Sequence, residues 1–180
     1  MPLAFFQFLL SCNQVQLLSI AGLLDYNTTE TTLSRVEKSS LLLAYEFNAV
    51  GPVLVIKHMW LLLKVGGHSR TERDVTVVAN LSTRVGSIGD NCLGGWHSYR
   101  SSKAALNQLE FARKKDPIIC NLLHPGTVDT DLSRPFQRNV PEGKLFTKEF
   151  SVLKLLGIIN TAKSHDNGKS FAWDGQEIPW

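Results

Sequence analysis

Short apolar runs alternate along this chain with longer segments in which apolar residues recur at helical spacing. The short runs predict four buried strands, at residues 15–22, 75–82, 117–123 and 169–175. Helical spacing predicts helices at 36–64, at 98–114 and at roughly 149–163. Because parallel strands need crossover helices between them, this alternation indicates an α/β fold with a parallel sheet.

Two segments depart from this alternation of strands and helices. A proline inside a helix removes a backbone hydrogen bond, so we expect the first helix to be bent or broken at Pro52. Residues 1–14 form an atypical N-terminal segment whose apolar part, MPLAFFQFLLSC, is shorter than the ~18 residues of a membrane span. A secretory signal begins with positive charge, whereas the first basic residue here is Arg35. We therefore expect a buried element, or an artefactual start, and neither a signal nor a membrane anchor.

Composition points to one ordinary globular domain spanning residues 1–180. The chain is 43% hydrophobic and 19% charged, with a net charge of +3. Its only basic run, Arg113 to Lys115, lies at a predicted helix end, where cations offset the helix dipole, so we expect no nucleic-acid partner. The three cysteines lack CxxC spacing, which argues against a disulfide framework and a metal site and favours a reducing, cytoplasmic compartment.

Polar and glycine positions cluster where the predicted strands end, which is where parallel α/β sheets bind their ligands. These positions are Ala21-Gly22, Ser82-Thr83, Pro125-Gly126 and Asp174-Gly175.

Tyr99 and Lys103 stand four residues apart at the start of the helix at 98–114, so both can face one pocket. A phenol is a poor base at neutral pH, but an ammonium within roughly 4–6 Å lowers its pKa. Such a pair suits proton transfer to a carbonyl oxygen while a cofactor delivers hydride. The alternative is a solvated helix face, because this spacing also arises by chance.

The motifs around Tyr99 favour a catalytic role for the Tyr99–Lys103 pair over a solvated helix face. YRSSKAAL fits Y-x-x-S-K, follows NLSTRVGS at one strand end and precedes HPGTVDTDL at the next; IAG and FNAVGPVL lie upstream. Together they resemble the short-chain dehydrogenase/reductase family from about residue 15 to residue 180. The stretches VGSIGDNCLGGWHSYRSSKAALNQL and SFAWDGQEIPW are similar to its C-factor-like, sniffer-like carbonyl reductase branch.

The resemblance implies roles for individual residues. Tyr99 is the expected acid/base, and Lys103 is expected to lower its pKa and to bind the nicotinamide ribose. Asn48 matches the asparagine that supports a proton-relay water. Thr83 stands where the family has a carbonyl-orienting serine, with Ser82 and Ser87 as alternatives.

The resemblance also implies an NAD(P)(H) cofactor, without showing a preference between the two forms. The implied cofactor contacts are Lys103, Ala21, Gly22, Pro125, Gly126, Val128 and Thr130. His97 replaces an aromatic residue expected from the resemblance, and we interpret it as surface or pocket lining.

The family's glycine-rich turn, which brings backbone N–H groups to the pyrophosphate, has no counterpart here, since Gly22 is the first glycine. We therefore expect a truncated Rossmann-like, doubly wound parallel sheet without the first strands, leaving the strand at 15–22 on an edge. A second deletion, of about seven residues or two helical turns, is expected where NQL runs into EFARKKDP.

The leading functional interpretation is an NAD(P)(H)-dependent short-chain oxidoreductase that interconverts carbonyls and alcohols. Its partners are expected to be a small-molecule carbonyl substrate and, where it oligomerises, a second copy or a full-length relative. The alternative is a catalytically inactive, truncated remnant that acts, if at all, by pairing with a full-length relative.

Overall fold

A computed structural model describes residues 16–19, 30–66, 75–109 and 115–180, and the statements below concern these residues. Their main elements, in chain order, are β1 (Gln16–Ser19), α1 (Lys38–Tyr45), α2 (Gly51–Gly66), β2 (Thr76–Leu81), α3 (His97–Leu109), β3 (Ile118–His124), β4 (Thr127–Val128), β5 (Leu145–Phe146), α4 (Lys148–Thr161), β6 (Ser170–Ala172) and β7 (Glu177–Ile178). The predicted alternation of strands and helices is confirmed.

The central sheet has five strands in the order β1-β2-β3-β6-β7. The first four are parallel, with Gln16 opposite Val77 and Thr76 opposite Ile118. Within the described part of the chain β1 lies at the edge, as expected. The short β7 pairs antiparallel with β6, which the sequence did not predict.

Helices cover both faces of the sheet. Val77, Ala79 and Ile119 pack with Leu155 and Ile159 of α4 on one face. On the other face Val78, Ile118 and Cys120 pack against Leu63 of α2. Because successive side chains of a strand point to opposite faces, the apolar runs of β2 and β3 supply both cores.

Pro52 changes the hydrogen bonding of the first long helix without ending it. A π-helical turn, Glu46–Val50, joins α1 to α2, and the N–H of Gly51 donates to the carbonyl of Glu46. A proline ring clashes with the carbonyl four residues earlier, here Asn48, and a widened turn accommodates that clash. The expected disturbance therefore lies in the turn just before Pro52.

The helix from Lys38 to Lys64 is long and apolar enough to cross a membrane by length and composition alone. Core helices of α/β proteins meet the same test, and here Leu63 packs onto the sheet. The predicted absence of a membrane partner stays a prediction, as does the cytoplasmic location.

Candidate active site

Helix α3 carries Tyr99 and Lys103 on a buried face. Tyr99 is 7% exposed and Lys103 is 2% exposed. The Nζ atom of Lys103 donates to the carbonyl oxygen of Leu81, at the carboxyl end of β2, over 3.0 Å. The two side chains therefore do not lie on a solvated face, and an ammonium is held at the tip of the sheet.

The pKa of the Tyr99 phenol shifts opposite to the expectation from its spacing to Lys103. Burial raises this pKa well above its ordinary value, because removal from water disfavours the phenolate. The expectation that the ammonium gives a net lowering of the pKa is wrong for this structure. The phenol therefore stays protonated at neutral pH, as a free phenol also does.

Asn48 is brought to the same helix by the π-helical turn. Its side chain is fully buried, and Nδ2 donates to Ser102 Oγ over 2.9 Å. Ser102 Oγ in turn donates to the backbone carbonyl of Tyr99 over 2.8 Å. Two hydrogen bonds thus connect the asparagine to the turn of α3 that carries the phenol. Ser102 is the serine of the Y-x-x-S-K motif, and the sequence predicted no separate role for it.

Thr83 lies two residues after the end of β2 and directly before a 3-10 turn, Arg84–Gly86. Gly86 packs so closely that a Cβ there would lie 2.9 Å from the Cβ of Lys103. The turn therefore fixes the backbone after Thr83 against α3, and Thr83 itself is half-buried.

The two alternative hydroxyls both hold the fold together. Ser82 Oγ donates to Asn107 Oδ1 of α3 over 2.7 Å. Ser87 Oγ donates to the carbonyl of Pro179 and accepts from the N–H of Asp90. Both alternative hydroxyls are therefore engaged in bonds within the fold.

The Pro125-Gly126 turn follows β3, where it was predicted. Gly126 has φ +77, and a Cβ there would lie 2.6 Å from the Phe146 ring. The carbonyl of Pro125 accepts from Ser151 Oγ over 3.0 Å. Both conformation and space therefore require glycine at this position.

Val128 and Thr130 continue this turn, and both are hydrogen-bonded to Ser133. Ser133 Oγ donates to the carbonyl oxygen of Val128 over 2.6 Å. Ser133 Oγ also accepts from the backbone N–H of Thr130 over 3.3 Å. The predicted cofactor-binding turn is thus a fixed backbone loop at the end of β3. Ala21 and Gly22, the other predicted contacts, lie outside the described residues.

His124, the last residue of β3, received no predicted role. Its Nδ1 is buried and has no hydrogen-bond partner in the structure. Burial, followed by the charge of Arg84, lowers its pKa from 6.5 to about 4, so the imidazole is neutral at neutral pH. Its position before Pro125-Gly126 in HPGTVDTDL was the only available signal.

His97 lines a cavity of about 290 Å³ with Arg100, Ser101 and Ala104, and Gly86, which packs on Lys103, also lines it. At 100° per residue His97 and Ser101 lie at least about 120° around α3 from Tyr99 and Lys103, whereas Arg100 lies only about 60° from Lys103. This placement agrees with the interpretation of His97 as pocket lining.

Comparison with known proteins decides the family. No family model matches the chain. The C-signal protein of Myxococcus xanthus is 32% identical over 152 residues, covering 82% of this chain and 83% of the relative. Short-chain dehydrogenase srdF of Neurospora crassa is 31% identical over 157 residues, covering 82% of this chain and 59% of the relative. The chain belongs to the short-chain dehydrogenase/reductase family. It is by family an oxidoreductase.

Solved structures of short-chain reductases share the fold. The carbonyl reductase Sniffer of D. melanogaster aligns with a TM-score of 0.77 and 26% identity, over 92% of this chain and 66% of that one. An NADPH-bound carbonyl reductase from chicken fatty liver aligns with a TM-score of 0.72 and 28% identity, over 83% and 60%. The fold is therefore Rossmann-like, and this chain covers only part of each of these short-chain reductases.

Proposed function

We propose that the chain is an NAD(P)(H)-dependent short-chain oxidoreductase that reduces a small-molecule carbonyl to an alcohol. The observation that carries this proposal is the buried Tyr99 and Lys103 on α3, beside the carboxyl end of β2. A buried ammonium is costly unless it is bonded, so its position at a strand tip favours a functional role.

The described residues fit the nicotinamide end of such a cofactor. The unpartnered Nδ1 of His124 and the fixed turn beginning at Gly126 lie at one strand end and offer polar atoms and close backbone approach. Lys103 would hold the ribose hydroxyls, and the turn from Pro125 through Thr130 would hold the nicotinamide. When bound, the cofactor supplies the hydride for the carbonyl carbon. Contacts of Ala21 and Gly22 stay predictions.

The proton comes from the chain itself. The Tyr99 O–H, which is protonated at neutral pH, donates its proton to the carbonyl oxygen. The Thr83 hydroxyl donates a hydrogen bond to the same oxygen and orients it. Asn48 is bonded through Ser102 to the turn of α3 that carries the phenol. Its predicted role is to support a proton-relay water.

Turnover of aldehydes and ketones tests the proposal. The folded chain is mixed with NADPH or NADH and a panel of carbonyl compounds, and cofactor oxidation is followed. We expect turnover that falls by about 10²-fold or more in Tyr99→Phe, because general acid catalysis contributes about that much. Tyr45→Phe, at a half-buried tyrosine of α1, is the matched control. Cofactor oxidation that is equal in both variants contradicts the assignment of Tyr99.

A second candidate function, pairing with another chain, is favoured by an exposed stripe on α1 and α2. We define the stripe as Leu42, Glu46, Val50, Leu54, Lys57 and Leu61, all of them exposed. Soluble proteins seldom expose a row of large apolar side chains without a partner.

The charges of the stripe favour a second copy of this chain as its occupant. Glu46 and Lys57 lie at nearly equal distances along the helix on either side of Gly51-Pro52. Two stripes packed antiparallel about that point would place each glutamate opposite a lysine of the other copy. Such two-fold self-complementarity is the usual geometry of a homodimer.

Sedimentation tests this pairing. We expect Glu46→Lys to weaken self-association and the double variant Glu46→Lys with Lys57→Glu to restore it, because the double variant re-pairs opposite charges. A chain that sediments as a monomer, or that binds only a full-length relative, contradicts the homodimer.

A further inference from the structure

Glu30 places a buried carboxylate at the start of α3, although it lies 68 residues before Ser98 in the sequence. The residue is 5% exposed. Its Oε2 accepts from the Ser98 backbone N–H over 3.2 Å, and its Oε1 accepts from Ser98 Oγ. The carboxylate therefore closes the first turn of the helix directly beside Tyr99.

The backbone of Glu30 bonds to Trp96, the residue just before α3. Its carbonyl oxygen accepts from the N–H of Trp96 over 2.6 Å. Among the described residues Trp96 is the only non-glycine residue with a left-handed backbone conformation, at φ +50. This conformation is unfavourable for a bulky residue and persists only where the surroundings impose it.

Trp96 in turn contacts the phenol. The rings of Trp96 and Tyr99 meet edge to face, with centroids 6.3 Å apart and planes at 70°. The Trp96 ring also packs on Phe136, at 5.6 Å. The position of the Tyr99 ring thus depends on a tryptophan whose backbone is bonded to Glu30.

The carboxylate of Glu30 is ionised in this setting. Burial acts to raise its pKa, but the hydrogen bonds from Ser98, with a smaller contribution from His97, lower the pKa overall. A negative charge at a helix N-terminus is also stabilised by the helix dipole.

We propose that Glu30 is a positioning residue for Tyr99: its carboxylate fixes the first turn of α3, its carbonyl fixes Trp96, and together they set the direction of the phenol. The kinetic consequence of this role rests on the proposed reductase function, whereas the structural consequence does not. No local motif around Glu30 points to it, because its partners come from a distant segment.

Three variants separate this role from a general loss of stability. Glu30→Ala removes both bonds to Ser98. Glu30→Gln keeps the size of the side chain, and its amide can accept from the Ser98 N–H and donate to Ser98 Oγ. Glu37→Ala removes an exposed carboxylate at the start of α1, where it makes no capping bond, and serves as the matched control.

The readout that needs no activity is the ring signal of Tyr99 in a sample with ¹³C-labelled tyrosine. The chain has three tyrosines, and the Tyr99 signal is assigned with Tyr99→Phe. We expect Glu30→Ala to shift this signal, and Glu30→Gln and Glu37→Ala to leave it near its original position. An unchanged signal in folded Glu30→Ala overturns the proposal.

The kinetic readout compares kcat with KM on the folded proteins. We expect Glu30→Ala to lower kcat about tenfold while KM for the cofactor stays within about twofold, because misplacement of a reacting group slows chemistry before it weakens binding. Glu30→Gln should recover most of kcat. A shifted ring signal with an unchanged kcat overturns the positioning role. Absence of turnover in the unmutated chain counts against the reductase proposal, and the ring signal then decides the role of Glu30 by itself.

Discussion

Helix α3 departs in one direction, and helices α1 and α2 in the other, from the ordinary distribution of buried apolar and exposed polar residues. On α3 the buried face is polar, with Ser98, Ser102, Lys103 and Asn107 all at 6% exposure or less. On α1 and α2 the exposed face is apolar, with Leu42, Val50, Leu54 and Leu61 between 45% and 78% exposed. A buried ammonium and an exposed apolar row both cost stability, so each marks a face retained for something besides folding. The first suits chemistry, and the second suits a partner.

Replacing the buried ammonium separates its role in chemistry from its role in folding. We expect Lys103→Met to lower kcat/KM by about 10² to 10³, the range found when an electrostatic donor is removed. Stability should fall by about 1–3 kcal/mol, because the carbonyl oxygen of Leu81 loses the hydrogen bond that Lys103 donates to it. Lys38→Met, at an exposed lysine of α1, is the control. Unfolding of Lys103→Met with no specific loss of activity would show that the ammonium is structural.

Two leucines of α2 test whether its buried and exposed faces contribute differently to stability. Leu63 is 1% exposed and Leu61 is 78% exposed. We expect Leu63→Ala to cost about 3 kcal/mol of unfolding free energy and Leu61→Ala less than about 0.5 kcal/mol, because only the first leaves a cavity. Urea denaturation at low protein concentration measures both. Equal losses would mean that Leu61 is also covered.

The neutral imidazole of His124 predicts a specific acid sensitivity. Its pKa falls from 6.5 to about 4 on folding, so in this window the unfolded chain binds a proton that the folded chain does not. Stability attributable to His124 is therefore present above pH 6.5 and is lost as the pH falls towards 4. We expect this loss to reach about 3 kcal/mol.

Denaturation at a series of pH values checks the role of His124. His124→Gln should flatten the dependence between about pH 6.5 and 4. His58→Gln, at an exposed histidine of α2, should keep it. Identical pH profiles for the two variants would contradict the burial of a neutral His124.

The smallest of these effects concerns Asn48. We expect Asn48→Ala to cost about 2 kcal/mol, because the buried Ser102 hydroxyl loses the hydrogen bond that Asn48 donates to it. Asn139→Ala, at an exposed asparagine, should cost less than about 0.5 kcal/mol. A loss of activity much larger than the loss of stability in Asn48→Ala would support the predicted relay role.

The hydrophobic pattern was sufficient for the elements that bury the most apolar surface. β2, β3 and α4 were predicted to within a few residues, because their apolar positions repeat over a long enough stretch. β4, β5 and β7 have two residues each, which is too short for any periodicity to show. The π-helical turn was not predicted either, since a proline indicates a disturbance but not its form.

The candidate site was predictable only where a local motif carries it. The Y-x-x-S-K motif predicted Tyr99 and Lys103 as site residues. The ends of the two adjacent predicted strands predicted Thr83 and the Pro125-Gly126 turn. Glu30 was not predictable, because its bond to Ser98 joins distant segments. The predicted direction of the Tyr99 pKa shift was wrong, because the spacing of Tyr99 and Lys103 does not reveal how deeply the phenol is buried.

Calorimetric titration of the folded chain with NADPH and with NADH tests the central claim most directly, since the buried polar face of α3 is proposed to bind a nicotinamide cofactor. We predict a Kd below about 100 μM for one of them, equivalent to about −5.5 kcal/mol. Lys103→Met should weaken this binding at least about tenfold, or about 1.4 kcal/mol, and Tyr99→Phe should leave it nearly unchanged. A folded chain that binds neither cofactor at about 1 mM would contradict the account.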